Sequence, residues 1–458
     1  MPEKLRWSLR WRLSMLWMLQ WGITGAILTY LPLYFTDKGL RRDQLGELMA
    51  VSAVGLWVAP FLVGQICDRW VGAEKYLAAS HFFGGLLLMA IPIATDFHAR
   101  QGEHFGLLTL LVGLYAIAYF PTVPVASALT FRHLPDPETQ FGRVRIWGTV
   151  GWVLAGLFLS LWLGHGEAIS WLGDRMPQWE EPLKRFGGLV AWLGPPSSDD
   201  SFQIAALLSF ALGSFCAFLP QSPPSPRSKG IAPLQVFSMF RDRSFGLMIG
   251  TSFILAILVP LYSLEAPKLL ARAGIDPNWV PAVMTIGQIS EFPALLLLSL
   301  CLKHLGMTKT FLLGMLAWFA RYTIFAGTND LSLVLAGIAM HGICHVFLII
   351  VIQLYVDAAT RPDLRTSAQN LFAFVTMGIG MPIGFILGGQ LAEWSVSPKT
   401  GMVSYPVLFS IPAGLILLVI IIYCRGTGIW PRRETKSINP DANKSETAPA
   451  SKRLEVRD

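Results

Sequence analysis

The chain has 458 residues, of which 53% are hydrophobic and 14% are charged, and its mean hydropathy is +0.51. This composition excludes a soluble globular domain. The net charge of +7 does not indicate a nucleic-acid partner, because it follows from how basic residues are divided between loops. The five cysteines have no paired spacing, and no Walker A loop is present, so a disulfide framework, an ATP-driven pump and an enzyme are all disfavoured.

Twelve apolar runs are long enough to cross a bilayer, and since lipid offers the backbone no hydrogen-bond partners, each is expected to be a helix. They lie near residues 12–35, 45–67, 76–95, 106–128, 144–164, 203–220, 246–270, 280–302, 309–327, 332–355, 366–392 and 404–424. The sequence therefore predicts an all-α membrane protein with two sets of six helices. We place the first bundle at 1–220, a cytoplasmic linker at 221–245, the second bundle at 246–428 and a disordered cytoplasmic tail at 429–458.

The distribution of lysine and arginine predicts the orientation. With both termini inside, the cytoplasmic segments hold 25 basic residues and the outer loops hold ten. Positively charged loops stay in the cytoplasm, so we expect the N-in/C-in arrangement.

The loop after the second run carries Gly64, Asp68 and Arg69 in a G-x-x-x-D-R pattern. This pattern resembles the signature of the major facilitator superfamily, which implies the fold of that superfamily for a chain with twelve helices.

The fifth run places Arg145, Thr149 and Trp152 on one helical face, because they are spaced i, i+4 and i+7. A cation, a hydroxyl and an aromatic ring on one face suit a polar ligand. The alternative is that Arg145 snorkels to the cytoplasmic interface.

The eighth run contains Gln288 and Glu291, which share a helix face. Glu291 lies ~16 Å deep if the helix rises ~1.5 Å per residue, close to the bilayer midplane. A carboxylate at that depth indicates a functional site, the alternative being a structural pair with a neighbouring helix. We predict that Glu291 binds and releases the coupling proton.

Helix nine carries Arg321, interpreted as a structural pair, and helix ten carries His341 and His345 at i and i+4. Two histidines at this spacing can ligate zinc, but the sequence shows no third ligand, which favours polar lining of a cavity and predicts no metal site. His345 is a possible helper in proton transfer.

Several stretches together resemble the nucleoside:proton symporter family of the major facilitator superfamily. They are residues 119–122, 145–149, 288–291, 321–322 and 355–369. The resemblance implies a central cavity that binds a nucleoside and opens alternately to each side. It places Arg145, Thr149 and Trp152 on one side of that cavity and Gln288, Glu291, His341 and His345 on the other.

The chain departs from the family pattern at two places. Val346 stands where the family usually has an aspartate, and residues 259–263 lack the amides that contact ligand in the family. These departures affect proton coupling and substrate choice. The expected function is nucleoside uptake with protons across a plasma or bacterial inner membrane, without a cofactor or nucleic-acid partner. The alternatives are a facilitator or exporter of a sugar or other polar solute, and a non-transporting sensor.

Overall fold

The computed structural model describes residues 7–58, 70–102, 104–176, 194–222, 243–360 and 365–429, together with 178, 181–182, 184–185 and 187–188. The described residues are helical apart from short connections and one isolated bridge between Val396 and Val403. The all-α prediction is confirmed. The G-x-x-x-D-R motif, most of the predicted linker at 221–245 and the predicted tail from residue 430 onward lie outside the described residues.

The described residues up to 222, called here the first half, form helices α1 to α9. These are α1 (Trp7–Ile27), α2 (Leu31–Asp37), α3 (Arg42–Val51), α4 (Ala73–Gln101), α5 (Phe105–Tyr119), α6 (Thr122–His133), α7 (Pro137–Leu163), α8 (His165–Arg175) and α9 (Asp200–Phe215). The break between α5 and α6 falls at Pro121, which cannot donate a backbone hydrogen bond.

The described residues from 243 onward, the second half, form helices α10 to α19. These are α10 (Arg243–Leu258), α11 (Pro260–Arg272), α12 (Val280–Ile289), α13 (Glu291–Gly327), α14 (Leu331–Ala339), α15 (His341–His345), α16 (Val351–Ala359), α17 (Arg365–Ala373), α18 (Met381–Trp394) and α19 (Tyr405–Gly426). Two π-helical segments, Val346–Ile350 and Phe374–Gly380, continue α15 and α17.

Nine helical spans in the described residues are long and apolar enough to cross a bilayer. One of them, Pro277–Gly327, has 51 residues. At ~1.5 Å per residue a straight helix of this length would be more than twice as long as the ~30 Å hydrocarbon core is thick. Gly306 interrupts it with φ 72° and ψ 174°, a conformation that glycine adopts readily. The span therefore divides where the predicted runs at 280–302 and 309–327 meet.

Buried apolar side chains form two clusters, one mainly from the first half and one mainly from the second. The two halves meet along α3 against α18 and α7 against α12. A side chain at Gly46 would collide with the carbonyl oxygen of Phe385, and the backbone amide of Ala282 donates to Ser160 Oγ at 2.9 Å. Both contacts lie toward the end of the molecule at which α7 ends and α12 begins. We call this the closed end.

Additional contacts hold the closed end together. Trp279 Nε1 donates to Glu167 across the two halves at 3.1 Å. Within the first half, Lys38 Nζ lies 2.8 Å from Asp96 and 2.9 Å from Asp199. Burial alone would lower the pKa of Lys38, but hydrogen bonds to the two aspartates and their charges outweigh it and raise this pKa. Lys38 therefore stays protonated and holds Asp96 and Asp199 together through two ion pairs.

Candidate functional site

A helix break brings Glu291 next to the tenth predicted run. Helix α12 ends at Ile289 and α13 begins at Glu291, with Ser290 at the turn. The hydroxyl of Ser290 donates to the carbonyl of Gly287 at 2.6 Å and accepts from the amide of Gly342 at 2.8 Å. A side chain at Gly342 would collide with the carbonyl oxygen of Ser290. This glycine permits the approach of α15 and so fixes the distance between Glu291 and the two histidines.

The sequence prediction placed Glu291, His341 and His345 in one site, and the structure brings their side chains into contact. Glu291 Oε1 lies 3.6 Å from His341 Nε2 and 3.1 Å from His345 Nδ1. The exposed fraction of the side chain is 16% for His341, 19% for Glu291 and 41% for His345. Exposure increases along α15 away from the closed end, so solvent reaches the three groups from the opposite end.

Arg321 lies behind this contact and is fully buried. Its guanidinium carbon is 3.5 Å from the ring centre of Tyr262 and 5.0 Å from that of Trp318, and Nη2 lies 3.4 Å from His341 Nδ1. The expected ion pair is not found: among the described residues Arg321 makes no salt bridge, and its Nε and Nη1 have no hydrogen-bond partner. A desolvated cation–π contact recovers ~2 kcal/mol, less than burial of a cation costs.

The ligand atoms of Glu291, His341 and His345 all lie within 4.8 Å of one another, close enough to consider a metal ion. The surroundings argue against it. A metal-bound histidine directs its second ring nitrogen toward an acceptor, whereas the second nitrogen of His341 faces the guanidinium of Arg321. The arrangement fits proton handling better than metal ligation.

The first half contributes the second side of the site. The guanidinium carbon of Arg145 lies 4.8 Å from the ring centre of Trp17 and 4.5 Å from that of Trp21. Arg145 is therefore held against α1 and does not snorkel to the interface. Trp21 and Trp152 are tilted neighbours with ring centres 6.0 Å apart, and the Nε1 atoms of both are enclosed without a partner. Thr149 is half-buried on the same helical face of α7.

The two sides face each other because α7 and α12 pack together as antiparallel helices. A Cβ at Gly156 would lie 3.2 Å from Thr285 Cγ2. One helical turn farther from the closed end, α7 carries Trp152 and α12 carries Gln288. The Oε1 atom of Gln288 is enclosed and unpaired. Glu291 and Arg145 are near enough for their charges to interact.

Sequence reasoning missed the aromatic residues that hold the two arginines. Trp17 and Trp21 have the i, i+4 spacing of one helix face, so their shared face was readable from the sequence. Tyr262 had no such signal. Its ring stacks on His341 with centres 5.6 Å apart, within the stretch that lacks the expected amides.

A second polar cluster lies wholly in the first half. His81 is 1% exposed and its Nε2 lies 3.1 Å from Gln20 Oε1. Gln20 Nε2 donates to Thr122 Oγ1 at 2.8 Å, and His81 Nδ1 lies 3.3 Å from Ser209 Oγ. These hydrogen bonds join four helices, and we refer to Gln20, His81, Thr122 and Ser209 as the first-half cluster.

The family model described as nucleoside H+ symporter matches residues 7–171 and 189–426. The chain belongs to the nucleoside H+ symporter family. Glu291, the three-residue contact around it and the facing arginine all lie within the matched residues. The family consists of multi-pass membrane transporters and not of enzymes.

Two relatives from Escherichia coli (strain K12) illustrate the similarity. YegT, a candidate nucleoside transporter, is 30% identical over 396 residues, 83% of this chain and 84% of YegT. The nucleoside permease NupG is 23% identical over 430 residues, 89% of this chain and 93% of NupG.

Solved structures confirm the fold. The crystal structure of NupG superposes with a TM-score of 0.73 at 22% identity, covering 92% of this chain and 99% of that chain. A bacterial homologue of the human lysosomal transporter Spinster, in an inward-facing and occupied conformation, gives 0.62 at 13% identity, covering 91% and 96%. The fold is that of the major facilitator superfamily.

Proposed function

We propose that the chain is a secondary active transporter that takes up nucleosides together with protons by alternating access, in a bacterial inner membrane. The observation that carries this proposal is the contact of Glu291 with His341 and His345 where the two halves meet. A histidine that is paired with a buried carboxylate can exchange a proton near neutral pH, and in a transporter of two rocking bundles the binding site lies between them. Membership of the nucleoside H+ symporter family and the names of its relatives support the substrate class.

Proposed topology follows the predictions. Twelve helices form two bundles at 1–220 and 246–428, joined by a cytoplasmic linker at 221–245, with both termini and the 429–458 tail inside. The closed end then faces outward, and the described conformation opens toward the cytoplasm. Cysteine labelling tests this in a cysteine-free background. Val190→Cys should react with an impermeant reagent from outside, and Ser225→Cys should not; the reverse pattern would exclude the topology.

The binding groups match the two parts of a nucleoside. We assign the flat base to the aromatic side of the cavity, where Trp152 offers a ring and an unpaired donor, beside Thr149 and Arg145. We assign the hydroxylated sugar to Gln288 and Glu291, which offer acceptor oxygens, with His341 and His345 adjacent. Enclosed polar atoms without partners are costly, so their presence on both sides indicates that a polar ligand or water completes them.

Proton coupling is assigned to Glu291 with His345. Sugar hydroxyls that donate to the carboxylate stabilise its ionised form and disfavour a proton on Glu291 itself, so coupling requires the histidine beside it. Val346 leaves no additional acid beside His345 on this segment. The Glu291–His345 contact is then the unit that must hold the proton.

Uptake of radiolabelled uridine into proteoliposomes tests the proposal. Accumulation above the external concentration is expected only with an inward pH gradient, and unlabelled nucleosides should compete while free sugars should not. Equilibration that ignores the gradient would indicate a facilitator. Competition by sugars alone would move the substrate class to sugars, and neither transport nor binding of any competitor would favour a sensor.

A further inference from the structure

We propose that Arg321 is a positioning residue that keeps His341 a neutral donor to Glu291 and leaves His345 as the histidine that takes up the transported proton. This inference rests on the proposed function for its transport meaning. Its structural part, the hydrogen-bonding state of His341, stands independently of any substrate.

The argument begins with the chemistry of guanidinium. An arginine side chain only donates hydrogen bonds, and its Nη2 lies 3.4 Å from His341 Nδ1. His341 Nδ1 must therefore be the bare nitrogen of the ring. The single proton of the neutral ring then sits on Nε2, and Nε2 faces Glu291 Oε1 at 3.6 Å. The two neighbours of His341 select the same tautomer from opposite sides.

A second proton on His341 would be placed on Nδ1, directly against the cation. Arg321 cannot turn away to relieve this repulsion. It is fully buried, and the rings of Tyr262, Trp318 and Phe325 surround its guanidinium with centres 3.5, 5.0 and 6.0 Å away. The aromatic cage thus turns a mobile side chain into a fixed charge.

His345 is placed differently from His341. Its Nδ1 lies 3.1 Å from Glu291 Oε1 but makes no hydrogen bond, although the atom is enclosed. Its side chain is 41% exposed on the side away from the closed end. At 3.1 Å the two atoms are close enough but not aligned for a hydrogen bond; a small rotation of the ring would let a protonated Nδ1 form a charge-assisted hydrogen bond to the carboxylate.

The charged and titratable groups around the carboxylate agree with this assignment. Arg145 of α7 acts on Glu291 from the facing half, and Arg321 acts through His341 from behind. Tyr262 of α11 stacks on His341, Cys344 of α15 lies near Arg321, and both kinds of side chain are uncharged near pH 7 at their ordinary pKa values. Arg145, Arg321 and the N–H of His341 therefore favour an ionised Glu291. The incoming proton is directed to His345, the remaining base.

Placing the proton on His345 also suits symport. A proton on Glu291 would remove an acceptor that the sugar hydroxyls need, so the two ligands would compete. A proton on His345 leaves the carboxylate charged and able to accept hydroxyl donors while the proton is bound. Both ligands can then occupy the site together, as co-transport requires.

The test uses the full chain in lipid vesicles, labelled with ¹⁵N only at histidine, of which there are eight. Solid-state NMR distinguishes bare, protonated neutral and cationic ring nitrogens, and the His341 and His345 signals are assigned by their loss in His341→Asn and His345→Asn. From about pH 8 to about pH 5 we expect His341 to keep a bare Nδ1 while His345 gains its second proton.

Two variants separate charge from packing. In Arg321→Met, His341 should gain a second proton within the same pH range, and in Arg321→Lys, which keeps a cation, it should remain neutral. A wild-type His341 that becomes cationic together with His345, or carries its proton on Nδ1, would overturn the proposal even if Arg321→Met failed to fold. An Arg321→Met spectrum identical to wild type would also overturn it. These spectra contain no nucleoside, so failure of uridine uptake would contradict the proposed function and leave this result intact.

Discussion

The two buried polar clusters of this molecule contain the same kinds of side chain but differ in how completely they are bonded. In the first-half cluster, Gln20 and His81 meet each other, and both also meet a hydroxyl on another helix. Around Glu291, in contrast, His345 Nδ1 is enclosed without a hydrogen bond, and so are two nitrogens of the neighbouring Arg321. In both clusters, taking polar groups out of water costs free energy. Only in the first-half cluster do hydrogen bonds within the protein offset that cost.

This difference separates packing from function. Polar groups that satisfy one another across helices hold a membrane bundle together, and nothing remains for a ligand to bond. Polar groups that remain unsatisfied in a fold under selection indicate partners that come and go. This contrast supports the proposal that Glu291, His341 and His345 exchange ligands, while the first-half cluster supports the helix that carries Trp17 and Trp21.

The largest expected effect comes from the arginine on the opposite side of the cavity. Arg145→Ala should reduce specific uridine uptake by about two orders of magnitude, because it removes both the guanidinium stacked on Trp17 and Trp21 and its charge-assisted hydrogen bonds to the ligand. Arg145→Lys should also be impaired, since an ammonium does not reproduce the stacked, planar guanidinium. Uptake is measured in proteoliposomes with protein amounts matched by immunoblot. Normal uptake by both variants would show that Arg145 only packs against α1 and does not contact the ligand.

A smaller effect is expected when the approach of α15 is disturbed. In Gly342→Ala the new methyl group collides with the carbonyl oxygen of Ser290, a backbone atom that cannot rotate away. Overpacking of this kind typically costs about 1–3 kcal/mol and should shift His341 and His345 from Glu291, lowering gradient-driven accumulation about tenfold.

The matched control is Gly250→Ala, another glycine within a helix, whose added Cβ would meet nothing within 4 Å. It should leave accumulation unchanged. Equal behaviour of the two alanine variants would show that the close contact at Gly342 does not position the cluster.

The smallest effect on transport is expected from a substitution in the first-half cluster. His81→Ala leaves Gln20 Oε1 without its buried partner, which should lower unfolding stability by about 1–3 kcal/mol. The midpoint of thermal unfolding should fall, while uridine affinity and its pH dependence stay as in wild type. His345→Ala should do the opposite, leaving the midpoint nearly unchanged and removing the pH dependence. A changed pH dependence in His81→Ala would break the distinction between the clusters.

Much of this arrangement was predictable from the sequence. Hydropathy located the long apolar helices of the described residues, because the bilayer sets the length of each apolar run, but it did not locate α8, which lies between two runs. Helical periodicity put Arg145, Thr149 and Trp152 on one face. The depth of Glu291 within its apolar run indicated that it is a functional residue.

The remaining features depend on contacts between helices, which periodicity within one helix does not encode. Arg321 was interpreted as a structural pair because its helix was expected to lie at the periphery of the bundle, away from the ligand. Its actual neighbours include Tyr262, which comes from a helix two predicted spans earlier. The distance from Glu291 to the histidines likewise depends on Gly342, whose role appears only when α15 packs on the turn at Ser290.

Nucleoside-driven proton movement tests the central claim most directly. Uridine is added outside proteoliposomes that contain a pH-sensitive dye and start without a pH gradient, and internal acidification is followed. The wild-type chain should acidify the lumen in proportion to uridine entry. Glu291→Gln keeps the shape of the side chain but cannot ionise, so it should give no acidification while retaining some uridine exchange. Acidification by Glu291→Gln equal to that of the wild type, or wild-type uridine entry without acidification, would contradict the account.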